Sequence, residues 1–136
     1  MQNPLNAMMT VKPGSLPALV AYLALPDTEK KINSALTQVG TVHFARFLLV
    51  PNTNTLFVLT EYDGDFVTYI TAFTNLLGDV FNHLFAFIDP APPLPVQKYQ
   101  DEFQAYILKN NLQSSLYSAY PQCTVLDIWG NGCAKP

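Results

Sequence analysis

The stretch Thr41–Gly64, TVHFARFLLVPNTNTLFVLTEYDG, decides how the chain is read. Val42–Val50 and Leu56–Tyr62 are dense in β-branched and aromatic residues, the types that fit a pleated, half-buried surface. Between them stand Pro51, Asn52, Thr53 and Asn54. Proline fixes φ and asparagine tolerates left-handed backbone, so these four read as a turn. The spacing predicts a β-hairpin centred on Asn52 and Thr53. With an even-numbered loop, Leu49 faces Leu56, Phe47 faces Val58, Ala45 faces Thr60 and His43 faces Tyr62. On the other face Phe44 stands across from Glu61, Arg46 from Leu59 and Leu48 from Phe57. Directly opposed residues share a face, and an odd loop or a bulge would flip the relation between the strands. Neither face is simply polar. A sheet with one solvated face alternates cleanly, so this hairpin predicts a sheet that buries much of both.

Composition points the same way. At 136 residues the chain is one domain, 1–136, long enough for a core. Hydrophobic residues make up 49% and charged residues only 12%, against about 25% charged in ordinary domains. Such a chain has surface to hide. The longest apolar stretch, Val80–Ile88, contains Asn82 and His83 and falls far short of the roughly 20 residues of a membrane span. No membrane association is therefore predicted, and a homodimer is the simpler cover. The net charge is −3, and no Lys or Arg lies between Phe47 and Gln97. That argues against nucleic acid, which needs a basic patch. Met1–Val11 lacks the charged and apolar regions of a signal peptide. Cys123 and Cys133 are too few for a disulfide framework, and no Cys-x-x-Cys occurs. They read as reduced thiols in a cytoplasmic protein.

Taken in order, Ala7–Val11 is a short candidate strand, stopped by Pro13-Gly14. Ser15 and Pro17 open a helix carrying Leu16, Leu19, Val20 and Leu23 at helical spacing. After Pro26, Asp27 or Thr28 caps a second helical piece with Ile32, Ala35, Leu36 and Val39 as its stripe, and Gly40 closes it. The hairpin follows. Asp65 then caps a long helix with Phe66, Tyr69, Ile70, Phe73, Leu76 and Leu77 on its apolar face, broken or bent at Gly78-Asp79 and restarting to Ile88. Asp89–Pro95 holds four prolines and must be extended. A helix over Gln97–Asn110, a further helical turn within Leu112–Tyr120 and a last strand over Cys123–Trp129 complete the chain, with a frayed end from Asn131. The order is β-α-β-β-α-(α)-β, with extra helices inserted at about 79–121. This predicts an α+β fold of the ferredoxin-like, split βαβ type, an antiparallel sheet with helices on one face.

In this order, and in the segments VHFARFLLV, LFVLTEYDGD and FVTYITAF, the chain resembles the dimeric α+β barrel superfamily, in which two ferredoxin-like sheets pack face to face. The resemblance implies a dimeric α/β barrel with a cavity between sheet and helices or between the sheets. It is architectural, shared with small monooxygenases, stress-responsive barrel proteins and haem-binding peroxidases. The Gly-x-x-Asp-Gly of dye-decolourising peroxidases has no full counterpart, because Thr60-Glu61-Tyr62-Asp63-Gly64 lacks the first glycine. The resemblance implies binding of a small apolar molecule and, as in some barrel monooxygenases, its transformation without a dedicated cofactor. The rival classes are a structural or interaction module with packed sheet faces, and a haem-binding protein.

Six residues are candidates for a ligand site. Arg46, the only arginine, and Glu61 form either a structural ion pair or a polar anchor in an apolar cavity flanked by Phe44 and Phe57. His43 opposite Tyr62 is either an acid–base pair or a satisfied hydrogen bond at the sheet end. Catalytic residues and any enzymatic reaction stay unassigned. His83 in FNHLFAF reads as a half-buried helix residue rather than a haem ligand. Asp63-Gly64-Asp65 reads as a turn and a helix cap. No His/Cys/carboxylate spacing matches a metal site, and no cofactor is expected.

Overall fold

The structure, a computed structural model, describes residues 1–130, 132 and 133. Within them the chain forms a three-stranded antiparallel sheet and five helices, an α+β fold. Strand β1 spans Gln2–Thr10, helix α1 Leu16–Ala24, α2 Pro26–Val39, β2 Val42–Leu49 and β3 Thr55–Asp63. Helix α3 follows over Phe66–Phe85, α4 over Gln100–Asn110 and α5 over Val125–Gly130. The frayed end expected from Asn131 falls, at 131 and 134–136, outside the described residues.

The sheet order is β1-β3-β2, so the last strand sits between the first two. Strand β1 begins earlier than Ala7 and runs through Pro4. The Val11 amide donates to Asn54 O at 2.7 Å, which sets the phase of the β1–β3 ladder. Residues 3, 5, 7, 9 and 11 turn their backbone groups to β3, and Pro4 turns its missing N–H to the outer edge, where it costs no ladder bond. Asn52 takes the left-handed conformation, φ 61°, in the hairpin turn.

The helices follow local chemistry for most of the chain. Pro26, rather than Asp27 or Thr28, opens α2, with Leu25 at the cap position, and Gly40 ends it at φ 73° with its N–H on Leu36 O. Asp65 caps α3, its carboxylate accepting from the Thr68 amide at 2.9 Å. The break expected at Gly78-Asp79 does not occur, and α3 runs 20 residues without interruption. Gly78 is buried, and a Cβ there would collide with the Gln97 side chain. That side chain is pinned by Asn82 at 2.8 Å and Asp79 at 3.0 Å. The glycine serves a close approach, not a helix end.

The last third differs most from expectation. Leu112–Tyr120 has no helical turn and runs without regular structure from Asn6 to Gln2 of β1. The strand expected at Cys123–Trp129 is instead α5. The cause is a reciprocal cap: the Thr124 amide donates to Asp127 Oδ2 at 3.0 Å, and the Asp127 amide to Thr124 Oγ1 at 3.1 Å. The reduced thiols are also corrected. Cys123 and Cys133 form a disulfide, their Cα atoms 5.7 Å apart. The turn of chain through α5 brings them together, and with it goes the ground for expecting a reducing compartment.

The core lies between the sheet's inner face and the helices. Leu5, Ala7 and Met9 of β1 and Leu56 and Val58 of β3 meet Tyr69, Ile70, Phe73, Leu77 and Phe81 of α3 and Phe103 and Ile107 of α4, all buried. Each large side chain buried this way contributes roughly 1.5–3 kcal/mol. The aromatic rings interlock, Phe73 on Phe81 at 4.9 Å and Phe85 on Phe103 at 5.9 Å. No described helix is long and apolar enough to cross a membrane.

Candidate functional site

The hairpin register holds from Phe44↔Glu61 to Leu49↔Leu56, with Ala45, Arg46, Phe47 and Leu48 opposite Thr60, Leu59, Val58 and Phe57. It fails at one residue. Val42, not His43, is opposite Tyr62, because the register shifts between Val42 and Phe44. An extra residue in one strand re-aims a side chain, and bulges of this kind are common beside functional sites. Here the shifted residue is His43. It leaves the inner face of Tyr62 and joins the outer face of Asp63.

There His43 Nε2 lies 2.7 Å from Asp63 Oδ1, with side chains only 7% and 9% exposed. The other carboxylate oxygen accepts from the Val125 amide at 2.8 Å. The Asp63 amide in turn donates to Thr41 O at 2.8 Å. A carboxylate only accepts, so Nε2 is the donor to Asp63, and when the ring is neutral Nδ1 is then its acceptor. No residue hydrogen-bonds to Nδ1 among the described residues. This is the relation of an imidazole to the group that orients it in many proton-transfer sites. Thr41 Oγ1 is the one buried side-chain polar atom without a partner among the described residues.

The C-terminal segment roofs this end of the sheet. Gln2 Nε2 donates to Tyr120 O at 3.1 Å and to Cys123 O at 3.2 Å, so one side chain staples the segment to the start of β1. Beneath the roof is a cavity of about 540 Å³. Its wall includes Gln2, His43, Phe44, Ser118, Tyr120 and the Cys123–Cys133 disulfide. A second cavity of about 520 Å³ shares Gln2, Phe44 and Ser118 and continues along the sheet to Arg46, Glu61 and Tyr117. An apolar wall with a few convergent polar groups is the usual make-up of a small-molecule site.

The six residues singled out from sequence divide. His43, Phe44, Arg46 and Glu61 share the outer face and border these two cavities. Phe57 is also on the outer face, half-buried between Met8 and Leu48, but borders neither cavity. Tyr62 is inside the core, stacked on Tyr69 at 4.1 Å. Burial pushes its hydroxyl above the ordinary tyrosine pKa, and nearby Asp65 adds to that. The Tyr69 hydroxyl, donating to Thr60 Oγ1 at 3.1 Å, is driven up further by burial. The His43–Tyr62 pair is thus replaced by His43–Asp63.

The buried Arg46–Glu61 ion pair is also absent. Arg46 is exposed, and the only ion pair among the described residues is His43–Asp63. Arg46 points to the uncovered face, where water solvates the guanidinium and weakens any attraction to Glu61. His83 is exposed at the last turn of α3 and stacks on Tyr22 at 3.9 Å, the rings parallel within 2°. The described residues contain no group of three or more His, Cys, Asp or Glu able to hold a metal.

Sequence reasoning missed Asp63, Gln2, Ser118 and the disulfide. By local sequence Asp63 reads as part of a turn, yet His43 and Asp63 stand where one shift of register makes them neighbours. Gln2 and Ser118 carry no local signal, because the folding of the C-terminal segment alone brings them to the site. Compared with protein-family models, with curated proteins and with solved structures, the chain matches none.

Proposed function

We propose that the chain binds a small, mostly apolar molecule under its C-terminal segment, on the outer face of the sheet. Phe44 and Tyr120 supply apolar wall, and His43 supplies the polar anchor. The observation that carries this reading is the His43–Asp63 pair, nearly buried at 2.7 Å beside a cavity of about 540 Å³. Desolvating two such groups is costly, so a nearly buried polar pair beside a cavity stands out on this otherwise apolar sheet. With Nδ1 open as an acceptor, the favoured ligand carries one O–H or N–H donor on an apolar body. The same imidazole, oriented by Asp63, can take a proton from that donor, so proton abstraction is a second reading. Haem has no comparable support, since His83 is used in stacking on Tyr22.

We further read the architecture as ferredoxin-like without the closing strand, and as one that self-associates through its sheet. The order β1-α-β2-β3-α, with β3 between β1 and β2, supports the first. The exposed Phe44, Leu48 and Met8 support the second.

Titration with p-cresol or indole, followed by amide chemical shifts, tests the binding reading. The shifts should cluster on Gln2, Phe44, Ser118 and Ala119. His43→Ala should weaken binding about tenfold, the scale of one lost hydrogen bond of about 1.4 kcal/mol, and Phe57→Ala should leave it unchanged. Shifts scattered over the helices, or equal effects of both substitutions, would remove the site.

A further inference from the structure

The two edges of the sheet are finished differently. On β1 the groups of Asn6, Thr10 and Lys12 face outward, and the chain itself meets them. The Asn6 amide donates to Asn111 Oδ1 at 2.8 Å and Asn6 O accepts from Leu112 N at 2.8 Å. Thr10 O accepts from Asp89 N at 3.0 Å, and the Lys12 amide donates to Phe87 O at 2.8 Å. Pro4 has no N–H to satisfy. The chain thus covers that edge at Asn6 and again from Thr10 to Lys12, leaving only Met8 between them without a backbone partner among the described residues.

Strand β2 forms the other edge. The Val50 amide donates to Thr55 O at 3.1 Å, which fixes the phase of this ladder. Residues 44, 46, 48 and 50 turn their backbone groups to β3. Ala45, Phe47 and Leu49 therefore turn theirs outward, and no described residue hydrogen-bonds to them there. The same three residues form one side of a groove of about 370 Å³, whose other side is α1 and α2 through Val20, Leu23, Ile32 and Leu36. Only Glu29 and Asn33 in that lining are polar. The unpaired backbone and the apolar groove thus coincide. From Phe44 to Leu49 the edge has no proline, lysine or bulge, and Arg46 is its single charged side chain.

We propose that β2 is a strand-addition edge, and that its occupant is β2 of a second copy, antiparallel about a two-fold axis at Phe47. The proposal rests on the reading that the chain self-associates through its sheet, and is independent of the ligand site. The sequence is self-complementary in that register. Phe47 pairs with its own copy and Ala45 with Leu49 of the second copy, so all three outward residues gain both bonds, roughly six in total. Arg46 falls opposite Leu48, and Phe44 opposite Val50. Centring on Arg46 would set two guanidinium groups face to face, which is repulsive. A free extended peptide could satisfy the backbone as well. A second copy also brings its own apolar groove alongside the first, and so covers both.

Sedimentation equilibrium combined with amide hydrogen exchange tests this on the whole chain. The mass should approach about twice the 15.1 kDa of one chain. The amides of Ala45, Phe47 and Leu49 should exchange at least about tenfold more slowly in concentrated than in dilute protein, the protection expected of a paired strand. Ala45→Pro removes an outward N–H without touching the β3 ladder, as proline does on a free edge. It should give a monomer with unchanged far-ultraviolet circular dichroism. A monomer at all concentrations with fast exchange at the three amides would overturn the proposal. So would a dimer whose three amides stay unprotected, because the contact would then lie on another surface. Protection without a dimer mass would assign the edge to a different occupant and overturn it equally. Should Ala45→Pro fail to fold, the wild-type mass and exchange still decide. Cresol binding at the His43 cavity is read separately, so the two proposals can fail independently.

Discussion

On β3 the inward residues Leu56, Val58 and Thr60 are at most 3% exposed, while the outward Phe44 and Leu48 of β2 are 71% and 45% exposed. Both sets are rich in large apolar side chains. What separates them is the supply of helices. The stripe of α3, from Tyr69 to Phe81, and the buried side of α4 can cover only one face. The other face receives the C-terminal segment, which is tied to Asn6, Gln2 and Asp63 but leaves Phe44, Arg46 and Leu48 exposed. Under that cover a polar pair is nearly buried. A few residues along the strand, Arg46 stays in water. Hydrophobicity makes a face suitable for burial, but the partner element decides whether burial happens.

Substitutions can break or sharpen this contrast. The largest effect should come from Leu56→Ala. It opens a cavity at a fully buried site and should cost about 2–5 kcal/mol in urea unfolding, whereas Leu48→Ala in dilute protein should cost about half a kcal/mol, as surface changes do. Equal costs would mean that the two faces are packed alike.

A middle effect belongs to Asp63→Ala, which strands the Nε2–H of His43 and the Val125 amide together. Losing an acceptor under cover costs about 1–3 kcal/mol, and the Val125 amide should exchange faster. Asp63→Asn keeps an acceptor and should cost less. If Val125 exchange is unchanged in Asp63→Ala, the roof is held by something other than this carboxylate.

The smallest effect is expected of Arg46→Ala, less than about 0.5 kcal/mol. Removing one partner of a buried pair would instead cost about 3–5 kcal/mol. Thermal or urea unfolding separates the two values easily, and the larger one would place Arg46 under cover after all.

Much of the first half of the chain was legible from residues alone. The turn at Pro51–Asn54 and the two runs beside it specify a register that holds over six consecutive pairs. Gly40 and Asp65 mark helix ends by backbone chemistry that acts within four residues. Those signals are short-range, and the structure uses them locally. The misread positions depend on contacts distant in sequence. Gly78 looks like a helix breaker until Gln97 arrives beside it. Cys123–Trp129 alternates like a strand, but the Thr124–Asp127 cap and the anchor on Asp63 make it a helix.

The sequence by itself determined the α+β class, the hairpin and the helical stripe that fills the inner face, because alternation, caps and turns act through neighbours on the chain. Only the tertiary structure decided which apolar face stays open, that β1 is edged by the chain on both sides of Met8 while β2 is not, and that His43 meets Asp63 under the disulfide-closed segment. Each of these depends on where a distant element comes to rest, and a one-residue bulge is enough to turn a side chain from one face of the sheet to the other.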